Sequence, residues 1–122
     1  MSERRVLIVE DDDDIREVFT QILEEAGYAV ATASHGQDAL DKLRSGAPLP
    51  GLIFLDLMMP IMDGFTFCAE LRRDQTLPAI PVVVMSADGR AEPKLVHSGV
   101  QGYLRKPLTI RTILDAAARH FS

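Results

Sequence analysis

The sequence predicts a single α/β domain with an open, doubly wound parallel sheet whose two faces are covered by helices. Five short apolar runs lack polar alternation, which is typical of strands that are buried on both faces. Between these runs apolar residues recur at helical spacing, so the chain divides into five βα units. Right-handed crossovers leave few ways to wind such a chain, and 122 residues are enough for one complete core.

The first two units begin with predicted strands at residues 6–9 and 29–33. The first helix ends at Gly27, and its apolar positions are Ile15, Val18, Phe19, Ile22, Leu23 and Ala26. We expect residues 34–37, with the sequence Ser-His-Gly-Gln, to form a capping box that begins the second helix. The prolines and glycine of residues 48–51 end that helix.

The third and fourth units contain the predicted strands 52–55 and 82–85, which end at Asp56 and Ser86. Asp63 is the expected N-cap of the third helix, whose apolar positions are Phe65, Cys68 and Leu71. A fourth helix is expected near residues 93–98. It should begin no earlier than about Glu92, because Pro93 is compatible only with a first turn.

The fifth unit consists of a strand at residues 102–104 and a last helix that Thr109 caps. The apolar positions of this helix have the spacing of an amphipathic helix; they are Ile110, Ile113, Leu114, Ala117 and Phe121.

Composition excludes several classes of protein. A net charge of −5 and a pI near 5.1 argue against general binding to nucleic-acid phosphates, which needs a basic face. One cysteine, Cys68, cannot form an internal disulfide and fits a reducing compartment. No apolar run approaches the roughly 18 residues of a membrane span, and no secretory leader is visible at the start. We therefore expect a cytoplasmic domain that itself contacts neither nucleic acid nor membrane.

Polar residues follow four of the five predicted strands: Glu10 and Asp11, then Asp56, Ser86 and Lys106. Because the carboxyl ends of parallel strands meet at one edge of a sheet, we expect these side chains to lie together. Three ionised carboxylates there would repel one another, and a divalent cation is the best relief. Hard oxygen ligands favour Mg²⁺.

Four segments together resemble the receiver domain of two-component response regulators. They are the acid pair Glu10 and Asp11, residues 56–64 (Asp-Leu-Met-Met-Pro-Ile-Met-Asp-Gly), residues 85–87 (Met-Ser-Ala) and residues 103–107 (Tyr-Leu-Arg-Lys-Pro). The resemblance covers nearly all of the chain, and Asp56 precedes Ser86 by 30 residues as Ser86 precedes Lys106 by 20. It implies one receiver domain over residues 1–122 with the flavodoxin-like strand order 2-1-3-4-5.

The resemblance also implies a role for each site residue. Asp56 is the phosphoacceptor, and its donor is a phosphohistidine on a sensor histidine kinase or histidine phosphotransfer protein. Asp11 and Asp56 bind Mg²⁺ directly, Glu10 binds it through water, and the backbone carbonyl of Met58 completes the protein ligands. The remaining implied contacts are those of Lys106 and the Ser86 hydroxyl with phosphoryl oxygens. A cis peptide bond between Lys106 and Pro107 is implied as well.

A signalling switch follows from the same resemblance. Movement of Ser86 toward the phosphoryl group would leave space for the ring of Tyr103. The surface of the fourth helix, fifth strand and fifth helix would then change for a downstream protein or output domain. The segment between Ser86 and Gly99 is about two residues shorter than expected for the family, which leaves the conformation of residues 88–98 open. The sequence does not determine whether the domain forms a homodimer.

Other functions are less consistent with the residues. A metal-dependent phosphohydrolase of the haloacid dehalogenase type needs a second aspartate where Met58 stands, so we expect no turnover enzyme beyond self-phosphorylation and self-dephosphorylation at Asp56. A nucleotide binder needs a phosphate loop where the acidic residues 10–14 would repel phosphate. The alternative that stays open is a receiver-like interaction module that acts without phosphorylation.

Overall fold

Five parallel strands form one sheet in the order β2-β1-β3-β4-β5. The computed structural model describes residues 4–58, 62–87 and 100–121. Its strands are β1 (Arg5–Val9), β2 (Ala29–Ala33), β3 (Leu52–Asp56), β4 (Val82–Ser86) and β5 (Gly102–Arg105). The predicted fold class and strand order are both confirmed.

The burial of the strands follows their position in the sheet. All residues of β3 and β4 are buried, as are all of β1 except Arg5, which explains why these runs carry no polar alternation. The edge strands β2 and β5 are only partly buried. The register pairs Val9 with Leu55 and Asp56 with Met85, so the carboxyl ends of the central strands lie level with one another.

Four helices are present in the described residues: α1 (Asp13–Glu25), α2 (Gly36–Leu43), α3 (Gly64–Arg73) and α4 (Ile110–Phe121). The helix named α4 here is the fifth helix of the sequence prediction. The helix predicted near residues 93–98, with its start near Glu92, falls outside the described residues. Helices α1 and α4 pack on one face of the sheet, and α2 and α3 pack on the other. The sheet is therefore doubly wound.

Side-chain caps begin three of the helices, and those of α3 and α4 are at the predicted residues. Asp12 accepts hydrogen bonds from the backbone N–H groups of residues 14 and 15 at the start of α1. Asp63 caps α3 at 2.8 Å from the N–H of residue 66, and Thr109 caps α4 at 3.1 Å from the N–H of residue 112. At the other end of α1, Gly27 has a φ of +96°, which is the left-handed conformation that its role as a stop requires.

The predicted capping box at α2 is wrong by one residue. The N-cap is His35 rather than Ser34, because His35 is the residue with extended backbone and its Nδ1 accepts a hydrogen bond from the N–H of Asp38 at 3.1 Å. The Asp38 side chain in turn accepts a hydrogen bond from the N–H of Ser34 at 3.0 Å. The contacts resemble a capping box, with an imidazole and an aspartate in place of the expected serine and glutamine, but Asp38 binds the N–H of the residue before the N-cap.

Within the three described stretches of the chain, no helix combines the length and the apolar character needed to cross a membrane.

Candidate functional site

Three carboxylates meet at the carboxyl edge of the sheet. Glu10, Asp11 and Asp56 each offer a ligand atom, and these atoms all lie within 4.8 Å of one another. Glu10 is 1% exposed and Asp56 is 5% exposed, whereas Asp11 is open to solvent. The structure therefore brings together the three acids that the sequence predicts as metal ligands, two of them in a nearly dry environment.

Asp56 is the last residue of β3, and the turn that follows it is held tightly. The N–H of Leu57 donates to the carbonyl of Met85 at 3.0 Å, and the N–H of Met58 donates to Asp56 Oδ1 at 3.2 Å. Gly64 packs directly behind this turn, because a Cβ on Gly64 would lie 2.8 Å from Leu57 Cδ1 and 2.9 Å from its Cα. The absence of a side chain at Gly64 thus lets α3 begin close to the backbone that follows Asp56.

The Glu10 carboxyl group is buried, but only part of its hydrogen-bonding capacity is used. Its Oε2 is buried and has no hydrogen-bond partner within the described part of the chain. The pKa of Glu10 is raised to about 8, mainly by burial and also by a hydrogen bond with Asp56 and the charge of Asp56, although the charge of Lys106 lowers it. A buried carboxylate oxygen without a partner beside two other acids fits a hard divalent cation such as Mg²⁺.

Lys106 supplies the positive charge of the site. Its Nζ lies 3.5 Å from Asp56 Oδ1 and 3.7 Å from Glu10 Oε1, and its side chain is 30% exposed. The N–H of Lys106 donates to the carbonyl of Ser86 at 2.9 Å, and the peptide bond to Pro107 is cis, as the resemblance implied. When all three acids are ionised, the Lys106 ammonium offsets only one of their charges, and a divalent cation would offset the other two.

Ser86 and Tyr103 lie on the same face of the sheet. Ser86 ends β4 and is 1% exposed, and it follows Val84 by two residues, so its side chain projects to the same side as that of Val84. Tyr103 is the register partner of Val84 in β5 and is half-buried in the same apolar cluster. The two predicted switch residues are therefore neighbours on adjacent strands.

Met58 and Asp11 form the exposed rim of the site. The Met58 side chain is 69% exposed, and Asp11 is exposed as well.

An apolar groove of about 800 Å³ leads away from the site between α1 and α4. Glu10 and Lys106 of the site are among its lining residues, and its apolar lining includes Ile15, Val18, Ile22, Leu108, Ile110 and Ile113. Part of the apolar stripe of α1 is not buried, since Ile15 is 46% exposed and Val18 is 56% exposed. The stripe is visible in the sequence, but its spacing alone did not distinguish a core face from an exposed groove.

Arg16 also contacts the end of β1 beside the site, a contact that the sequence did not predict. Its Nη1 donates to the backbone carbonyl of Glu10 at 2.8 Å, and its Nη2 pairs with Asp13. The signal in the sequence was a single basic residue within a strongly acidic segment, and nothing local indicated that it folds back to the end of β1.

Comparison with known proteins agrees with this geometry. The family model described as the response regulator receiver domain matches residues 6–118. The DNA-binding dual master transcriptional regulator RpaA of Synechocystis sp. is 40% identical over 116 residues, which cover 90% of this chain and 46% of RpaA. The chain spans about half the length of the curated relatives that it matches first.

Two solved structures show the likeness in three dimensions. The chemotaxis protein CheY4 of Vibrio cholerae has a TM-score of 0.87 at 29% identity, with 98% of this chain and 99% of CheY4 covered. The phosphorylated cyanobacterial phytochrome response regulator RcpA has a TM-score of 0.81 at 27% identity, with 95% of this chain and 89% of RcpA covered.

Proposed function

This chain belongs to the response regulator receiver domain family, and we propose that it is a signalling switch controlled by phosphorylation of Asp56. The observation that carries the proposal is the position of the Asp56 carboxylate, which lies among two further acids and 3.5 Å from the Lys106 ammonium. The structure of the related RcpA is that of a phosphorylated protein, which is consistent with the same chemistry here.

In the proposed reaction an Asp56 carboxylate oxygen attacks the phosphorus of a phosphohistidine. The phosphorus–oxygen bond forms as the phosphorus–nitrogen bond breaks, and the imidazole nitrogen keeps the electron pair of the broken bond. Lys106 would pair with one phosphoryl oxygen, and the Ser86 hydroxyl would donate to another. The protein's contribution is position and charge, and no turnover of a separate substrate is involved.

The three acids at the sheet edge are the residues that would hold Mg²⁺. Asp11 and Asp56 would bind it directly, Glu10 would bind it through water, and the carbonyl of Met58 would complete the set of protein ligands. When bound, the ion supplies the charge neutralisation that the incoming phosphoryl oxygens require. Glu10 Oε2, which has no hydrogen-bond partner among the described residues, is the structural feature that supports a cation here.

The proposed output depends on Ser86 and Tyr103. Movement of Ser86 toward the phosphoryl group would open space on the sheet face that Tyr103 shares, so that the ring could turn inward. The affected surface comprises β5, α4 and the segment predicted as the fourth helix, which falls outside the described residues. A downstream protein or output domain would read the change.

We propose that the phosphodonor protein docks on the groove between α1 and α4. Receiver domains interact with histidine kinases, and this groove is apolar, exposed at Ile15 and Val18, and continuous with the site at Lys106. A helix that buried an apolar stripe in the groove could present a phosphohistidine to Asp56 from the same side.

We propose that the partners of this domain are proteins and that the domain itself does not bind nucleic acid. RpaA is named as a DNA-binding protein, but this chain spans less than half of RpaA, and its net charge of −5 does not suit a phosphate backbone. We propose a cytoplasmic location, with Cys68 as a buried free thiol.

Intact-mass measurement tests the proposal. With Mg²⁺ and acetyl phosphate, the wild-type chain should gain the mass of one phosphoryl group, and Asp56→Asn should gain none. Asp63→Asn is a matched control, because it changes an exposed acid in the same connection and can still cap α3; this variant should be labelled normally. No adduct on the wild type with acetyl phosphate or a phosphorylated kinase would favour the alternative, an interaction module that acts without phosphorylation.

A further inference from the structure

Arg16 connects the first turns of α1 to the end of β1. Its Nη1 donates to the backbone carbonyl of Glu10 at 2.8 Å, and its Nη2 forms an ion pair with Asp13. The Arg16 side chain is 21% exposed, whereas that of Asp13 is 85% exposed, so the guanidinium lies mostly against the protein. A planar guanidinium can make both contacts at once because its donors are fixed in a fork.

The hydrogen bond from Arg16 means that both backbone polar groups of Glu10 have partners. The N–H of Glu10 donates to the carbonyl of Ala33 in β2 at 3.0 Å, and its carbonyl accepts from Arg16. The next residues are held by α1, since Asp12 caps the helix and its carbonyl accepts from the N–H of Arg16 at 2.9 Å. Residues 10–12 include two of the three acids of the site, and hydrogen bonds with α1 thus hold their backbone in place.

We propose that Arg16 is a positioning residue for the Mg²⁺ site, and this inference rests on the proposed function. Mg²⁺ needs nearly ideal octahedral geometry, so its affinity depends on how well its ligands are held in place. Groups that orient metal ligands typically change metal affinity about 10–100-fold when they are removed. Arg16 meets this description through the backbone of Glu10, without contact with the cation position.

Charge and position predict opposite effects for Arg16. If Arg16 acted only as a nearby positive charge, it would repel a cation, and its removal would strengthen Mg²⁺ binding. If Arg16 holds the Glu10 backbone, its removal weakens Mg²⁺ binding although the repulsion is lost. The sign of the change in Mg²⁺ affinity therefore distinguishes the two roles.

Calorimetric titration of the metal-free chain with MgCl₂ provides the test. We expect Arg16→Met to raise the Mg²⁺ Kd by about tenfold or more. Arg16→Lys keeps a donor and should raise it by a smaller factor, which is partial rescue by the conservative variant. Arg44→Met is the matched control: it also removes an arginine paired with an aspartate, Asp74, but makes no contact with Glu10, and its Kd should stay within about twofold of wild type.

Several outcomes would overturn the inference. Equal or tighter Mg²⁺ binding by Arg16→Met would do so, provided that the wild type binds Mg²⁺. A weaker affinity that Arg16→Lys does not recover, together with a fall in the metal-free unfolding midpoint of both variants, would assign Arg16 to general stability. If Arg16→Met does not fold, the Mg²⁺ Kd of Arg16→Lys provides the test. A wild-type Kd in that variant would contradict a positioning role for the two-donor contact of the guanidinium. Absence of Mg²⁺ binding by the wild type would instead contradict the proposed function.

Discussion

The Lys106 ammonium lies 3.7 Å from Glu10 Oε1, although β3 and β4 separate the strands that precede these two residues. The two side chains reach toward each other across the sheet edge, and Asp56 lies between their strands with its Oδ1 3.5 Å from the same Nζ. The arrangement places one positive charge against two buried acids, and it is the basis of the first two predictions.

Replacement of Lys106 by methionine should slow phosphorylation. We expect the rate of labelling by acetyl phosphate to fall by about tenfold or more, because a preorganised cation is lost from the developing phosphoryl charge. Labelling is followed by intact mass over time at saturating Mg²⁺. Arg105→Met is the control, since Arg105 is exposed and adjacent in sequence. An equal loss of rate in both variants would argue against a specific role for Lys106.

The stability of the metal-free protein should fall as pH rises. Burial and the neighbouring Asp56 together raise the pKa of Glu10 from 4.5 to about 8, so the folded protein retains a proton that the unfolded chain releases. This contribution to stability is complete below about pH 4.5 and is lost as pH rises toward 8. Glu10→Gln cannot ionise, and its free energy of unfolding should exceed that of wild type at pH 8 more than at pH 5.

Urea unfolding in EDTA measures this difference, and added Mg²⁺ should reduce it. The cation offsets the Glu10 charge that the metal-free site leaves uncompensated. A stability difference between wild type and Glu10→Gln that does not change between pH 5 and pH 8 would contradict the prediction.

A charge introduced in the groove should slow phosphorylation by a donor protein but not phosphorylation by acetyl phosphate. Val18 is 56% exposed and lines the groove, so Val18→Asp should leave the fold and labelling by acetyl phosphate unchanged. Phosphotransfer from a phosphorylated histidine phosphotransfer protein that labels the wild type should slow by about tenfold, because a charge is buried on docking. Leu49→Asp, at an exposed apolar residue outside the groove lining, should transfer normally. Normal transfer to Val18→Asp would exclude the groove as the docking surface.

Addition of one methyl group at Gly64 should affect both stability and labelling. A Cβ there would lie 2.9 Å from the Leu57 Cα, and because this is backbone the turn after Asp56 must shift. We expect Gly64→Ala to lose about 1–3 kcal/mol in urea unfolding and to be labelled more slowly. In Gly51→Ala the added Cβ would meet the Phe121 ring at 2.8 Å, far from the site, so it should lose stability without a loss in labelling rate.

Removal of the Tyr103 ring should separate phosphorylation from output. Tyr103→Ala should be labelled like the wild type, because Tyr103 is half-buried in β5 and is not among the acids of the site. Its phosphorylated form should bind the downstream partner more weakly, which titration calorimetry with that partner measures. Unchanged partner affinity would contradict a switch through Tyr103.

Much of the fold was predictable because its signals are local. The apolar runs of β3 and β4, the caps at Asp63 and Thr109, and the left-handed Gly27 each depend on a few consecutive residues. The capping box at α2 was misplaced by one residue, because His35 and Ser34 can both accept a hydrogen bond and only the observed backbone conformation distinguishes them. The strand order came from the family resemblance rather than from the pattern.

The sequence by itself determined which residues end the strands, and therefore that Asp56 would meet Glu10, Asp11 and Lys106 at one edge. Only the tertiary structure decided how the rest of the chain surrounds them. The contact of Arg16 with the Glu10 carbonyl and the exposure of Val18 depend on the placement of α1 against β1 and α4. A helical repeat shows that two residues share a face, but the neighbour of that face is set by packing between distant segments, and no local pattern encodes it.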